Sequence, residues 1–167
     1  MPDAPHPVLF QTTLTSPEAT ARLAETLAGA LGAGDILCLD GDLGAGKTHF
    51  ARALIQHLQA QYGQVEDVPS PSFTLVQTYQ AGEQEIWHAD LYRLSDPQEV
   101  DELGLTDAFD TAICLVEWPD RLGSDMPARA LWVSLRMVPG QDDARALTLS
   151  SDRPGLWADR VRALVSA

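Results

Sequence analysis

The sequence predicts an α/β fold of three layers around a mixed parallel and antiparallel sheet. Early in the chain, apolar strand-like runs alternate with amphipathic helical runs, the pattern of parallel βα units. Later, β-rich runs come in pairs separated by short turn sequences, the pattern of antiparallel hairpins. The length, 167 residues, suits a single domain over 1–167 that buries roughly 70% of its unfolded surface.

The elements follow in order. Val8–Thr12 reads as a short first strand. Ser16 and Pro17 open a helix as N-cap and first helical residue. Leu23, Leu27 and Leu31 recur every four residues on one face, and Gly32 to Gly34 stop it. Asp35–Asp40 is a short apolar strand. A glycine loop follows at once, then a helix over His49–Tyr62 with Phe50, Leu54 and Leu58 inward and Gly63 as terminator. Phe73–Tyr79 and Ile86–Tyr92 form a hairpin turning near Ala81 and Gly82. Ser95 caps a further helix, with Gln98 three residues on. Ala112–Val116 is a wholly apolar strand ending in Glu117 and Trp118. Leu131–Met137 and Ala146–Ser150 make a second hairpin. The last helix, near Leu156–Val165, carries Trp157, Val161, Leu164 and Val165 at helical spacing.

Hydrophobic residues make up 45% and charged residues 21%, ordinary for a globular chain. There is no apolar stretch of about 18 residues, so no membrane span is expected. Met1–Phe10 lacks the basic and apolar regions of a signal peptide. Cys38 and Cys114 each sit in an apolar run and read as buried free thiols, which suits a reducing cytoplasm. The net charge of −13 repels a phosphate backbone, so nucleic acid, if involved, is expected to be carried by another subunit. The basic residues are ten arginines and one lysine, Lys47. Lysine supplies a compact ammonium on a flexible stem, which arginine's planar fork does not reproduce.

That lysine lies in Gly41-Asp42-Leu43-Gly44-Ala45-Gly46-Lys47-Thr48, which matches G-x-x-x-x-G-K-[ST]. Glycines let a loop wrap an anion with inward N–H groups, and the following helix points its positive end there. In this motif the lysine reaches the β- and γ-phosphates and the hydroxyl ligates Mg²⁺. A strand before and a helix after supply the required context, so the fold is expected to be of the P-loop NTPase type.

A phosphate loop of this kind works with a carboxylate at the end of a buried strand. Glu117 is the candidate, as a metal ligand or as a structural cap. Asp90 ends another strand. It orients a water, acts as a base or holds a metal-bound water, or else it is a surface carboxylate paired with Arg93. Pro69-Ser70-Pro71-Ser72-Phe73-Thr74 reads as a switch carrying Ser70, Ser72 and Thr74, or as a proline-rich turn into an edge strand. Trp118 faces a nucleotide or partner, or packs in the core. His88 reads as a satisfied, half-buried histidine.

Four blocks together resemble one family, the bacterial TsaE (YjeE) proteins. They are Gly41–Thr48, Ser70-Pro-Ser-Phe-Thr-Leu-Val76, His88-Ala-Asp-Leu-Tyr-Arg93 and Leu115-Val-Glu-Trp-Pro119. The resemblance implies an ATPase that works with TsaB and TsaD proteins to form N6-threonylcarbamoyladenosine in tRNA. TsaD would carry the transfer chemistry, tRNA would be met only through the complex, and ATP with Mg²⁺ would be the cofactors. It implies Mg²⁺ ligands at Thr48 and Glu117, an important carboxylate at Asp90, a functional Trp118 and a switch at Ser70–Thr74. It also implies nucleotide contacts from the loop, from Thr20 and from Arg145. His49 stands where the family often has a hydroxyl, and Ser72 where threonine is usual.

Two rival classes are a small-molecule P-loop kinase and a non-catalytic nucleotide-binding scaffold. No arginine-rich lid segment favours the kinase. There is also no Asn-Lys-x-Asp guanine reader, so ATP is expected rather than GTP. With no obvious arginine finger, hydrolysis by the isolated chain is expected to be slow.

Overall fold

A computed structural model describes residues 6–96 and 98–166, with the backbone alone at 165 and 166. Residues 1–5, on which the reading of the N-terminus partly rests, lie outside the described residues, as does the Val165 side chain. The elements run β1 (Val8–Leu14), α1 (Pro17–Ala28), β2 (Ile36–Asp40), α2 (Lys47–Ala60), β3 (Val76–Ala81) and β4 (Gln84–Asp90). They continue with α3 (Gln98–Glu102), α4 (Leu105–Ala108), β5 (Ile113–Glu117), β6 (Leu131–Val138), β7 (Gln141–Ser150) and α5 (Pro154–Ser166). A 3-10 segment, Pro119–Asp125, follows β5.

The strands make one sheet in the order β1-β7-β6-β2-β5-β4-β3. Its centre, β6-β2-β5-β4, is parallel. The flanking pairs β3–β4, β6–β7 and β1–β7 are antiparallel. The expected mixed sheet is therefore present, and the side-chain alternation shows the three layers. Leu37, Leu39, Ile113 and Leu115 pack with Leu27 of α1, Phe50 and Leu54 of α2, and Trp157 and Val161 of α5. Ile36, Cys38, Cys114 and Val116 point the other way, onto Val100, Leu105, Phe109 and Leu122. Strands covered on both faces have no polar side, which is why β2 and β5 read as continuous apolar runs. Both cysteines are buried and free.

The first helix starts as the sequence indicates. Ser16 Oγ accepts from the Ala19 N–H at 3.1 Å, and Pro17 is the first helical residue. The helix ends at Ala28, so Leu31 lies beyond it rather than on its apolar face, and three further boundaries differ from expectation. The segment expected as a strand from Phe73 is a turn up to Leu75, which takes a positive φ of 68° while its N–H bonds the Pro71 carbonyl at 2.8 Å. The strand can begin only after that turn, at Val76. The cap before α3 is Asp96, whose Oδ1 accepts from the Gln98 N–H at 3.0 Å; Ser95 Oγ instead donates to Glu99 at 2.8 Å. β7 starts at Gln141, earlier than the apolar run. Its first residues pair with β6 alone, because β1 ends opposite Arg145. Asp142 and Asp143 are thus exposed within a strand.

Candidate phosphate-binding site

The parallel strands bring three chain segments to one edge of the sheet. β2 ends at Asp40 and runs into the glycine loop. In β5, Glu117 lies opposite Leu39 of β2 and Asp90 of β4. Ligands in open α/β sheets sit beyond these carboxyl ends of strands. Here a cleft of about 410 Å³ opens there, lined by the loop, Ser70, Ser72, Asp90, Glu117 and Trp118 among others.

The loop has a fixed shape. Gly46 takes φ 105° as the residue before α2, a conformation strained for any side chain. Gly41 has no room: a Cβ would stand 2.6 Å from the Leu135 carbonyl oxygen of β6. Arginines brace the loop from behind. Arg136 donates to Asp40 Oδ2 at 2.8 Å. Arg145 donates to the carbonyls of Ala45 at 2.9 Å and Gly44 at 3.3 Å.

The cleft floor is acidic and tightly linked. Thr48 Oγ1, in the first turn of α2, lies 3.0 and 2.9 Å from the two Glu117 carboxylate oxygens. Glu117 is only 3% exposed, and His88 Nε2 lies 2.7 Å from its Oε2. Asp90 is also buried. Its Oδ2 accepts from Ser70 Oγ at 3.3 Å and its Oδ1 from the Tyr92 N–H at 3.0 Å. Ser70 and Ser72 hydroxyls lie 3.3 Å apart. Thr74, by contrast, accepts from Gln77 at 3.1 Å and does not line the cleft.

Lys47 Nζ is turned back onto the carbonyls of Gly41 and Asp42. The Trp118 ring centroid lies 3.9 Å from it, a cation–π contact. Trp118 itself has a positive φ of 57° and tilts against Tyr92. Burial lowers the Lys47 pKa, against the opposing pull of Glu117, Asp90, Asp40 and Asp42.

A smaller cavity of about 240 Å³ lies on the other side of the loop. It is lined by Pro17, Thr20, Gly44 to Gly46, His49, Asp143 and Arg145. Thr20 and Arg145, distant in sequence, thus meet beside the glycines. His49 lines both cavities, but its Nε2 donates to the Pro17 carbonyl at 2.9 Å and ties α2 to α1.

Residues 14–146 match the family described as threonylcarbamoyl adenosine biosynthesis protein TsaE. The chain belongs to the TsaE family. It is 37% identical over 142 residues to the tRNA threonylcarbamoyladenosine biosynthesis protein TsaE of Rickettsia bellii, covering 85% of this chain and 95% of that one. It is 35% identical over 137 residues to the protein of that name from Bacillus subtilis, covering 81% and 82%. Its fold superposes on the crystal structure of YdiB from the same bacterium with a TM-score of 0.76, at 28% identity and 94% coverage of each chain.

In this TsaE-family chain the structure corrects one reading, rules out one alternative and adds two residues. His88 is fully buried, not half-buried, and its Nδ1 has no hydrogen-bond partner among the described residues. Asp90 is not a surface carboxylate paired with Arg93, because it is buried while Arg93 lies over the Phe73 ring at 4.7 Å. Arg93 and Tyr92 both line the cleft, a placement the sequence signalled only by their closeness to Asp90. Phe73, 84% exposed, therefore joins the serine loop to the rim through an arginine.

Proposed function

We propose that this chain binds ATP with Mg²⁺ in the 410 Å³ cleft, hydrolyses it slowly, and thereby supports threonylcarbamoyladenosine formation in tRNA by TsaB- and TsaD-type proteins. Its part in that biosynthesis follows from the family. The observation that carries the ATP reading is the meeting of the glycine loop, Thr48, Asp90 and Glu117 at one end of the parallel strands. Thr48 and Glu117 offer adjacent oxygen donors, the type Mg²⁺ prefers, and would hold the ion. When bound, the ion neutralises charge on the β- and γ-phosphates.

The chain's own groups then have separate tasks. Loop N–H groups and the α2 N-terminus cradle phosphate oxygens. Lys47 exchanges two carbonyl partners for phosphate, leaving the Trp118 face. The cavity between Thr20 and Arg145 takes the nucleoside end. Asp90, bonded to Ser70, links the γ-phosphate end of the cleft to the serine loop, so occupancy would be felt beside the exposed Phe73. The net charge of −13 favours protein partners over direct tRNA contact. No helix among the described residues is long and apolar enough to cross a membrane, and a part in tRNA modification is in keeping with a place in the cytoplasm.

The test is reconstituted threonylcarbamoyl transfer to tRNA by TsaB and TsaD proteins with ATP. The native chain should allow repeated turnover, and Lys47→Ala should not. An equal effect of both would favour the scaffold reading. No effect of either, together with phosphate transfer to a nucleoside or metabolite, would favour a kinase.

A further inference from the structure

His88 sits where packing alone would not put an imidazole. It is fully buried, and one ring nitrogen, Nδ1, has no partner among the described residues. A polar atom left unsatisfied in the core is a liability, and a leucine of similar volume would avoid it. The other nitrogen, Nε2, lies 2.7 Å from Glu117 Oε2. With no acceptor at Nδ1, the proton of the neutral ring belongs on Nε2, donated to the carboxylate.

The placement comes from strand geometry. Residues two apart on a strand share a face, so His88 and Asp90 of β4 point the same way. The parallel register sets Asp90 opposite Glu117 and His88 opposite Leu115, bringing the imidazole under the Glu117 carboxylate. The terminal torsion of a glutamate is broad, so its own rotamer does not fix the carboxylate plane. Here two groups fix it: Thr48 Oγ1, close to both oxygens, and His88 on Oε2.

We infer that His88 is a positioning residue that presets the Glu117 carboxylate for the Mg²⁺ ion of the bound nucleotide, through the Nε2–Oε2 hydrogen bond. This rests on the Mg²⁺·ATP reading above. Hydrogen-bond partners of metal-ligating groups tune affinity strongly, and their loss typically weakens metal binding about 10–100-fold.

The experiment titrates Mg²⁺ calorimetrically into the full chain saturated with a non-hydrolysable β,γ-imido analogue of ATP. His88→Leu keeps volume but loses the donor. His88→Gln offers an amide N–H near the position of Nε2. The leucine variant should bind Mg²⁺ about ten-fold more weakly or worse, and the glutamine variant should recover most of that loss. Affinity for the analogue without Mg²⁺ should stay near native in both. If the leucine variant does not fold, His88→Asn, too short to reach Glu117, is compared with His88→Gln instead. Native Mg²⁺ affinity in the donor-less variant overturns the inference. So does a parallel loss of metal-free binding, which a merely structural role would produce. A native chain that binds the analogue without any dependence on Mg²⁺ overturns the metal reading itself, and this inference with it.

Discussion

Gly41→Ala adds one methyl group at the root of the glycine loop. That methyl would lie 2.6 Å from the Leu135 carbonyl oxygen and 3.0 Å from the Ala45 Cβ. The first obstacle is backbone, held in the parallel ladder that pairs Leu39 with Val133 and Asp40 with Ser134. It cannot swing aside as a side-chain tip would. The second is a buried residue of the loop itself. Relief therefore means lifting the loop from β6 or breaking the ladder beside it. Forcing a methyl into a packed site costs about 1–3 kcal/mol. At about 2–4 °C per kcal/mol for a domain of this size, the melting temperature should fall by about 2–12 °C. Affinity for ATP should fall further, by about ten-fold or more, because the loop moves before the sheet does and phosphate binding depends on its shape. Thermal melts with and without nucleotide, alongside calorimetric binding, give both numbers. Gly32→Ala is the control, since no heavy atom lies within 4 Å of its Cβ and its φ is not positive. Native melting temperature and native affinity in Gly41→Ala would refute the packing of the loop against β6.

Two further outcomes are expected. Arg145→Ala should weaken ATP binding several-fold while the melting temperature drops only about 2–4 °C, as for the loss of roughly 1 kcal/mol of hydrogen bonding. Arg145→Lys should not restore binding, because its ammonium lacks the fork that reaches both Ala45 and Gly44; full recovery with lysine would mean that charge alone matters. Burial raises both thiols, Cys114 from an ordinary 9.0 to about 12 and Cys38 higher still, so at pH 8 a thiol reagent should label the chain only as it unfolds. The unfolded thiols ionise first, so this contribution to stability is complete below about pH 9 and drains away as pH rises towards 12; urea midpoints across that window should fall, and rapid labelling of the native chain would contradict the burial.

The core of the site was legible because its signals are local. The glycine loop carries its spacing, its strand and its helix within twenty-odd consecutive residues. Glu117 and Asp90 were found as carboxylates ending apolar strands. The misread boundaries were local contests decided by backbone geometry. Leu75 spends the expected strand in a left-handed turn, and Asp96 rather than Ser95 takes the capping position. The length of β7 depends on β6, which keeps Asp142 and Asp143 in a strand that composition argues against. His88 was beyond reach for a different reason. Its alternation with Asp90 is visible in the sequence, but its partner depends on β5 lying parallel to β4 with Asp90 opposite Glu117. No local pattern encodes that register.

The same topology bears on how a chain of net charge −13 would receive a polyanion in the proposed function. Its sole lysine lies among Asp40, Asp42, Asp90 and Glu117, all of which favour its charged form, while burial works against it. Three of those carboxylates, Asp42, Asp90 and Glu117, line the cleft itself. Bare ATP would meet them as like charges, with only Lys47, Arg93, the loop N–H groups and the helix end to offset the repulsion. A divalent cation held by Thr48 and Glu117 would offset that repulsion and turn the Glu117 carboxylate into a ligand. On the proposed Mg²⁺·ATP reading, the acidic floor would therefore favour the metal complex over the free nucleotide.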